Sequence, residues 1–209
     1  MNKLKTLALA ICLSFFASVA SAEIRMGVSV HAMMLETSGS ETLRTSGNVT
    51  NKSVDETATV PSIFIEAVNS DGLGVGIDYV PVAELGSGTG DDDDAETSGA
   101  NKASAELTSH STVYAIAQNE NGLFVKVGMA FADVDTTETL ATGDTYGNAS
   151  TEGLMAGIGL SRDLANGMFV RGELSHVDYD DISITSTGGS TVKASVDSTN
   201  VTLSIGKSF

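Results

Sequence analysis

The chain has 209 residues, a formal net charge of −16 at neutral pH and one cysteine, Cys12. So acidic a chain is a poor candidate for binding nucleic acid, whose phosphates attract basic surfaces. Its length predicts a single domain, and a disulfide framework is excluded because one cysteine cannot pair with another in the same chain.

The first 22 residues have the layout of a secretory signal peptide. Met1–Lys5 carries two lysines, Leu7–Phe16 is largely apolar, and Ala20–Ala22 is a small-residue cleavage site. The apolar run is shorter than the roughly 20 residues that a membrane-spanning helix needs. We therefore expect cleavage after Ala22 and a mature domain over residues 23–209, whose net charge is −18 because two lysines are removed.

Short alternating segments predict eight strands in the mature domain. Six of them flank three turns that are strong hairpin signals because their residues accept positive φ. These turns are Asp71-Gly72, Asn121-Gly122 and Asn166-Gly167. The N-terminal segment IRMGVSVHAMM and the C-terminal segment VTLSIGKSF complete the eight.

The segments between the hairpins are polar, and we predict them to be long loops. They are residues 37–58, 84–105, 135–149 and 180–192. Long structureless loops are unusual in a compact domain. Short turns that alternate with long polar loops are instead typical of an outer-membrane barrel, in which the short turns face the periplasm and the long loops face outside.

Side-chain register tests this interpretation independently. Counted from each turn glycine, large apolar residues take the odd offsets, whereas glycine, polar and charged residues take the even ones. This favours a barrel whose apolar face meets lipid and whose polar face lines a narrow lumen. The fourth strand leaves its facing open, because Tyr114 with Ile116 and Val113 with Ala115 compete for the same face. The charges predicted to line the lumen, three of each sign, are Arg25, Glu66, Asp78, Lys126, Arg171 and Glu173.

Three features together resemble the eight-stranded OmpA/OmpX-like outer-membrane β-barrel superfamily: the signal peptide, the repeated N-G-[LM]-F-V-[KR] turn, and the terminal VTLSIGKSF. The resemblance implies an all-β, antiparallel, up-and-down transmembrane barrel in the bacterial outer membrane, surrounded by lipid and lipopolysaccharide. It also implies that Phe209 is read by the barrel-assembly machinery. The sequence departs from full-length OmpA proteins in stopping at the barrel, so we expect their peptidoglycan-binding domain to be absent.

The resemblance further implies aromatic girdles at both membrane interfaces. Because the chain has no tryptophan, we expect tyrosine and phenylalanine to build them. The expected residues are Tyr79, Phe131 and Tyr179 at one rim and Phe124, Phe169 and Phe209 near the other.

The lumen charges have two possible roles. A gated pore for small solutes or ions is one, and a polar plug is the other. Charges that face a narrow interior must be paired, and eight strands leave little free bore. We therefore expect the plug, and we retain a narrow porin-like channel as the alternative.

Two further groups of residues are candidate sites. The acidic run Asp91–Asp94 with Glu96 lacks the spacing of an EF-hand, so we expect a solvated loop rather than a cation site. His110 with Thr112, and His176 with Asp178, have the same-face spacing of a histidine and its partner in a lipid A-modifying enzyme. Nothing fixes a complete triad. We therefore predict no catalytic, metal or cofactor site, and a non-enzymatic structural or surface-interaction role with an unknown extracellular ligand.

Overall fold

The computed structural model describes residues 5, 6, 10, 22–44, 46–92 and 99–209. The strands in chain order are β1 (Glu23–Thr42), β2 (Val49–Val68), β3 (Leu73–Val80), β4 (Ala83–Asp92), β5 (Gly99–Gln118), β6 (Leu123–Thr139), β7 (Ala149–Asp163), β8 (Met168–Tyr179), β9 (Ile182–Thr185) and β10 (Thr191–Ser208). Most of the predicted signal peptide, and residues 93–98 of the acidic run, lie outside the described residues. In the described part of the chain, no helix is long and apolar enough to cross a membrane.

The strands form one closed antiparallel ring. The order is β1-β2-β3-β5-β6-β7-β8-β10, and β10 pairs back onto β1 from Arg25 opposite Ser208 to Thr42 opposite Thr191. Because β4 continues β3 along β5, and β9 continues β8 along β10, the ten segments make eight barrel strands. The predicted eight-stranded antiparallel barrel is therefore confirmed.

The prediction of long loops is wrong for most of residues 37–58 and 84–105, which lie in strands, whereas most of residues 135–149 and 180–192 lies outside strands. β1 and β2 pair continuously out to Thr42 opposite Val49, and β5 and β6 pair out to Lys102 opposite Thr139. These outer segments lack large apolar residues, which led to the loop prediction. Most of them contain several threonines, however, whose branched side chains favour extended backbone even where both faces meet water.

The short turns at the other end are fixed by asparagine side chains. Oδ1 of Asn69 accepts the backbone N–H groups of Asp71 and Leu73, at 3.0 and 2.9 Å, and Asn119 makes the equivalent bonds in the second turn. The third turn differs, because Asn166 itself adopts positive φ, at 64°. Asparagine tolerates that conformation better than other residues with a side chain.

Large apolar side chains cover the outside of the barrel near these turns. They include Val28, Val30, Ile63, Ile65, Ile77, Leu123, Val125, Ile158, Leu174, Leu203 and Ile205, all of them exposed. The inside holds polar residues near the turns and an apolar layer farther out, which includes Met33, Val60, Val80, Leu107, Met155 and Val177. In β5, Tyr114 and Ile116 lie inside, which resolves the facing that the sequence left open.

One seam interrupts the wall, where the ladder between β2 and β3 ends at Ile63 opposite Tyr79. Asn69 N–H donates to the Leu73 carbonyl across this pair of strands. Because backbone hydrogen-bonding groups alternate sides along a strand, Pro61 and Pro81 would form the next hydrogen-bonded pair in this register. Both lack an N–H, so this pair has no donor and the ladder stops. These are the chain's two prolines.

Candidate functional site: the barrel lumen

The centre of the lumen is an arginine–glutamate pair. Nη1 and Nη2 of Arg171 donate to Oε1 and Oε2 of Glu66 at 2.6 and 3.0 Å, and the Tyr114 hydroxyl donates to Oε1 at 2.7 Å. The side chains of Arg171 and Glu66 are 1% and 0% exposed. Such a two-pronged pair, removed from water, is strong and holds one geometry. It joins β2 to β8 across the barrel interior.

A second ion pair lies beside the first. Nζ of Lys126 lies 2.8 Å from Oε2 of Glu173 and 3.8 Å from Oε1 of Glu66. The same ammonium group lies 4.3 Å from the ring centre of Tyr114. Lys126 therefore connects the two carboxylates, and four of the six predicted lumen charges form one contiguous network.

Three phenylalanine rings surround the Arg171 guanidinium. Its Cζ lies 4.9 to 5.6 Å from the ring centres of Phe64, Phe124 and Phe169. These distances permit cation–π attraction, which is strongest where the cation is removed from water. The rings and the ion pairs together fill this level of the lumen.

The predicted aromatic girdles are therefore wrong at three positions. Phe124, Phe169 and Tyr179 are buried inside the barrel, whereas Tyr79 and Phe131 lie on the outer surface, as expected. The strand register explains the difference. Phe124 and Phe169 both stand two residues after a turn glycine, an even offset that the alternation assigns to the lumen.

The other two predicted lumen charges lie apart from the network. Arg25 donates to Oε1 of Gln118 at 3.1 Å and lies 3.6 Å from Glu23, near the short turns. Asp78 accepts a hydrogen bond from the Ser62 hydroxyl at 2.9 Å, farther out in the lumen. Four of the six predicted lumen charges thus form one cluster, and Arg25 and Asp78 each lie apart from it with partners of their own.

A small polar cavity of about 50 Å³ lies against the outer side of the network. His31 lines it, with Nδ1 2.8 Å from the Thr202 hydroxyl and Nε2 2.7 Å from the Ser62 hydroxyl. A volume of this size holds a few water molecules, because each needs roughly 10–15 Å³. The apolar layer that contains Val80 and Met155 borders it on the outer side.

The two histidine pairs considered for lipid A chemistry have different surroundings. His110 is buried in the lumen, where Nε2 lies 2.9 Å from the Tyr179 hydroxyl. His176 faces outward, and its ring nitrogens lie 3.2 Å from the Thr199 hydroxyl and 3.8 Å from Asp197. These partners are not the predicted Thr112 and Asp178. Among the described residues, no group of three or more histidine, cysteine, aspartate or glutamate side chains could hold a metal ion.

The C-terminal residue lies at the seam that closes the ring. The backbone N–H of Phe209 donates to the Ile24 carbonyl at 2.9 Å, so the last residue extends the pairing of β10 with β1. Its ring is exposed, and Nζ of Lys207 lies 5.2 Å from the ring centre. Phe209 therefore sits on the outer surface at the end of the barrel that carries the short turns.

Three loops meet at the opposite end of the barrel. The backbone N–H of Thr187 donates to the Thr145 carbonyl at 2.9 Å, and the Tyr146 hydroxyl donates to Glu41. Burial, together with the hydrogen bond to the Glu41 carboxylate, raises the pKa of the Tyr146 phenol well above its usual range. The backbone N–H of Arg44 also donates to the Ser190 hydroxyl at 3.4 Å, so the described part of the connection after β1 and the connections 140–148 and 186–190 are tied into one cluster.

No family model and no curated protein matches the sequence. Among solved structures, the outer membrane protein OprG from Pseudomonas aeruginosa has a TM-score of 0.64 at 13% identity, over 90% of this chain and 96% of its own. The outer membrane protein AlkL, determined in lipid bilayers, has a TM-score of 0.48 at 11% identity, over 90% of each chain.

The outer membrane protease OmpT from Escherichia coli has a TM-score of 0.45 at 10% identity, over 90% of this chain and 97% of its own. At these identities the likeness concerns the fold alone, and OprG is the comparison that carries it. The closed ring of strands and the outward apolar surface point to the same fold as the likeness to OprG. The chain has the fold of the small eight-stranded outer-membrane β-barrels.

Proposed function

We propose that the protein is a non-enzymatic barrel of the bacterial outer membrane with a structural or surface-interaction role. The outward apolar residues would contact lipid, and the acidic hairpins would project outside among lipopolysaccharide. The filled lumen carries this proposal. The Arg171–Glu66 pair, enclosed by three phenylalanine rings, occupies the bore toward the end that carries the short turns.

Conductance of the purified protein in a planar lipid bilayer tests the filled lumen. We expect no steady ion current from the wild-type barrel, because ions must break a buried, doubly hydrogen-bonded ion pair to pass. A matched variant, Phe124→Ala, removes one ring and should admit only brief openings. A steady wild-type current would favour the narrow porin-like channel instead.

Two parts of the proposal concern export and assembly. Residues 1–22 would be removed after export, leaving the mature barrel. Phe209, exposed at the end of the closing strand, would then be available to the barrel-assembly machinery. Pulse-labelling of whole cells checks both, since Ala22→Arg should block processing and Phe209→Ser should slow the appearance of the heat-modifiable folded form.

The seam supports a second candidate function, lateral passage of small apolar molecules from the outer lumen into the membrane. Where the ladder stops at Pro61, the inner face of the wall is apolar, with Val60 and Val80 buried beside it. Apolar solutes could leave between β2 and β4 without crossing the charged network. Uptake of a small alkane by cells with and without the protein tests this function, and equal uptake would exclude it.

A further inference from the structure

A hydrogen bond crosses the lumen on the outer side of the polar cavity. His110 stands on β5 and Tyr179 ends β8, two strands that β6 and β7 separate in the ring. Nε2 of His110 lies 2.9 Å from the Tyr179 hydroxyl, and the centres of the two rings are 6.4 Å apart. Both residues are buried. The pair is therefore a second connection across the barrel interior, and Arg171 of the ion-pair network borders the cavity on the other side.

Hydrogen bonding fixes the position of the ring proton of His110. A buried hydroxyl needs an acceptor for its proton, and among the described residues the Tyr179 hydroxyl has Nε2 of His110 as its partner. The hydroxyl therefore donates, Nε2 accepts with its lone pair, and the ring proton lies on Nδ1. Nδ1 itself is buried without a hydrogen-bond partner in the described part of the chain. The bond exists in this direction while His110 is neutral, because an added proton takes the lone pair of Nε2.

A positive charge on His110 would have no counter-ion of its own. The Asp78 carboxylate lines the same cavity, but it accepts the Ser62 hydroxyl and lies 3.5 Å from Nε2 of His31. The remaining charged groups of the cavity are paired within the ion-pair network. The titratable and charged groups that line the cavity or contact His110 are His31 on β1, Asp78 on β3, Tyr114 on β5, Lys126 on β6, and Arg171, Glu173 and Tyr179 on β8.

The surroundings of His110 are otherwise apolar. Val80 stands directly opposite it on β3, and Met33, Met155 and Val177 line the cavity beside it. These four residues are at most 6% exposed, so they are closed to water. Burying a charge without a partner costs several kcal/mol, and water relieves that cost. Protonation of His110 therefore favours a state in which the apolar layer separates and water enters.

We propose that the His110–Tyr179 hydrogen bond is an acid-released latch, which keeps the outer lumen closed to water at neutral pH and opens it when His110 takes up a proton. The ion pairs nearer the short turns lie on the other side of the cavity, so they stay in place when the latch opens. The latch goes beyond the proposed structural role. Water entry into the outer lumen and ion conduction through the whole barrel are separate measurements.

Oxidation of methionine by hydrogen peroxide measures water entry, because a thioether has no proton to titrate in this pH range. Met155 reports on the outer lumen, and Met168, at the start of β8 near the short turns, is the internal reference. Mass spectrometry follows sulfoxide at both residues of the folded barrel in detergent. A water-exposed histidine takes up a proton at about pH 6.5, and opening linked to one proton changes at most about tenfold per pH unit. Oxidation of Met155 should therefore accelerate about fivefold between about pH 6.5 and 5.5, with Met168 unchanged. A constant rate at Met155 would overturn the proposal.

Three variants identify the group that takes up the proton. Glutamine stays neutral, so the oxidation rate of Met155 should not depend on pH in His110→Gln. His31→Gln removes the other histidine of the cavity and should keep the wild-type pH dependence. Tyr179→Phe removes the donor and should accelerate oxidation of Met155 already at neutral pH. Heat-modifiable migration on gels shows that each variant is folded. A pH dependence that persists in His110→Gln or disappears in His31→Gln, or a Tyr179→Phe barrel that matches wild type at neutral pH, would refute the latch.

Discussion

Replacing Glu66 with glutamine leaves the buried Arg171 guanidinium without its counter-ion. Glutamine keeps the shape of the side chain and one carbonyl oxygen, so it can still accept one hydrogen bond. It removes the negative charge from a pair whose side chains are at most 1% exposed. Removing one partner of a buried ion pair costs about 3–5 kcal/mol. The rings around Arg171 stay in place, so we expect the lower end, about 3 kcal/mol.

Urea unfolding in lipid vesicles, followed by the gel mobility of unheated samples, measures this cost. Fluorescence of tryptophan is not available, because the chain has none. The matched control is the double variant Glu66→Gln/Arg171→Met, which removes both charges. Since apolar replacement of a whole buried pair is often neutral, the double variant should recover most of the loss. A loss below about 1 kcal/mol in the single variant, or additive losses in the double one, would refute a buried ion pair.

Three other predictions concern the seam, the loop cluster and the outward histidine. Pro61→Thr combined with Pro81→Thr restores two N–H donors, so amide exchange in β2 should slow and any alkane uptake should fall; unchanged exchange would contradict the seam. Raising the pH through the folded-state pKa of Tyr146, which lies above the ordinary tyrosine value of about 10, should ionise the phenol and remove its contribution. Proteolysis of wild type at residues 140–148 should therefore increase at high pH. In Tyr146→Phe, which lacks the hydroxyl, proteolysis should already be high at neutral pH. Cleavage of wild type that does not change with pH would argue against a stabilising Tyr146–Glu41 hydrogen bond. Mass spectrometry of lipid A should show no difference on His176→Ala, and a lost modification would support the enzyme alternative.

The barrel was predictable because alternation carries through each membrane-facing strand. Val28 and Val30 on one face, with Ser29 on the other, assign inside and outside without reference to a partner strand. The same rule, applied to β8, places Arg171 in the lumen. The rule also assigns Phe169 to the lumen, where its ring is buried, and so disagrees with the girdle that the resemblance implied.

Other features could not be predicted, because they depend on which residues meet across the ring. Glu66 and Arg171 stand on β2 and β8, which are not neighbours, so no local pattern pairs them. Alternation in β5 does not decide whether Tyr114 faces lipid or the lumen, and its hydrogen bond to Glu66 shows that it faces the lumen. The proline seam could not be predicted for the same reason. That Pro61 lies opposite Pro81 follows only from the register of β2 and β3, which no local pattern gives.

In the outer hairpins, polar composition does not distinguish a loop from an extended strand. Thr42 and Val49 end a long polar ladder whose residues have no core to bury. Their β-branched side chains and continuous pairing with a neighbour hold them extended. Polar composition therefore predicted correctly that these segments face water, but it did not predict their backbone.

Spin labels on adjacent residues of the closing strand test the central claim, an apolar outside in lipid around a polar inside. The predicted mature domain has no cysteine, so single cysteines can be introduced at Leu203, which is exposed on the outer surface, and at Ser204, which lies 2.9 Å from Ser29 in the lumen. In vesicles, the label at Leu203 should collide with oxygen dissolved in lipid and be shielded from a water-soluble nickel complex, while the label at Ser204 should be immobile and shielded from both. A label at Leu203 that is freely reached by the nickel complex would contradict the account.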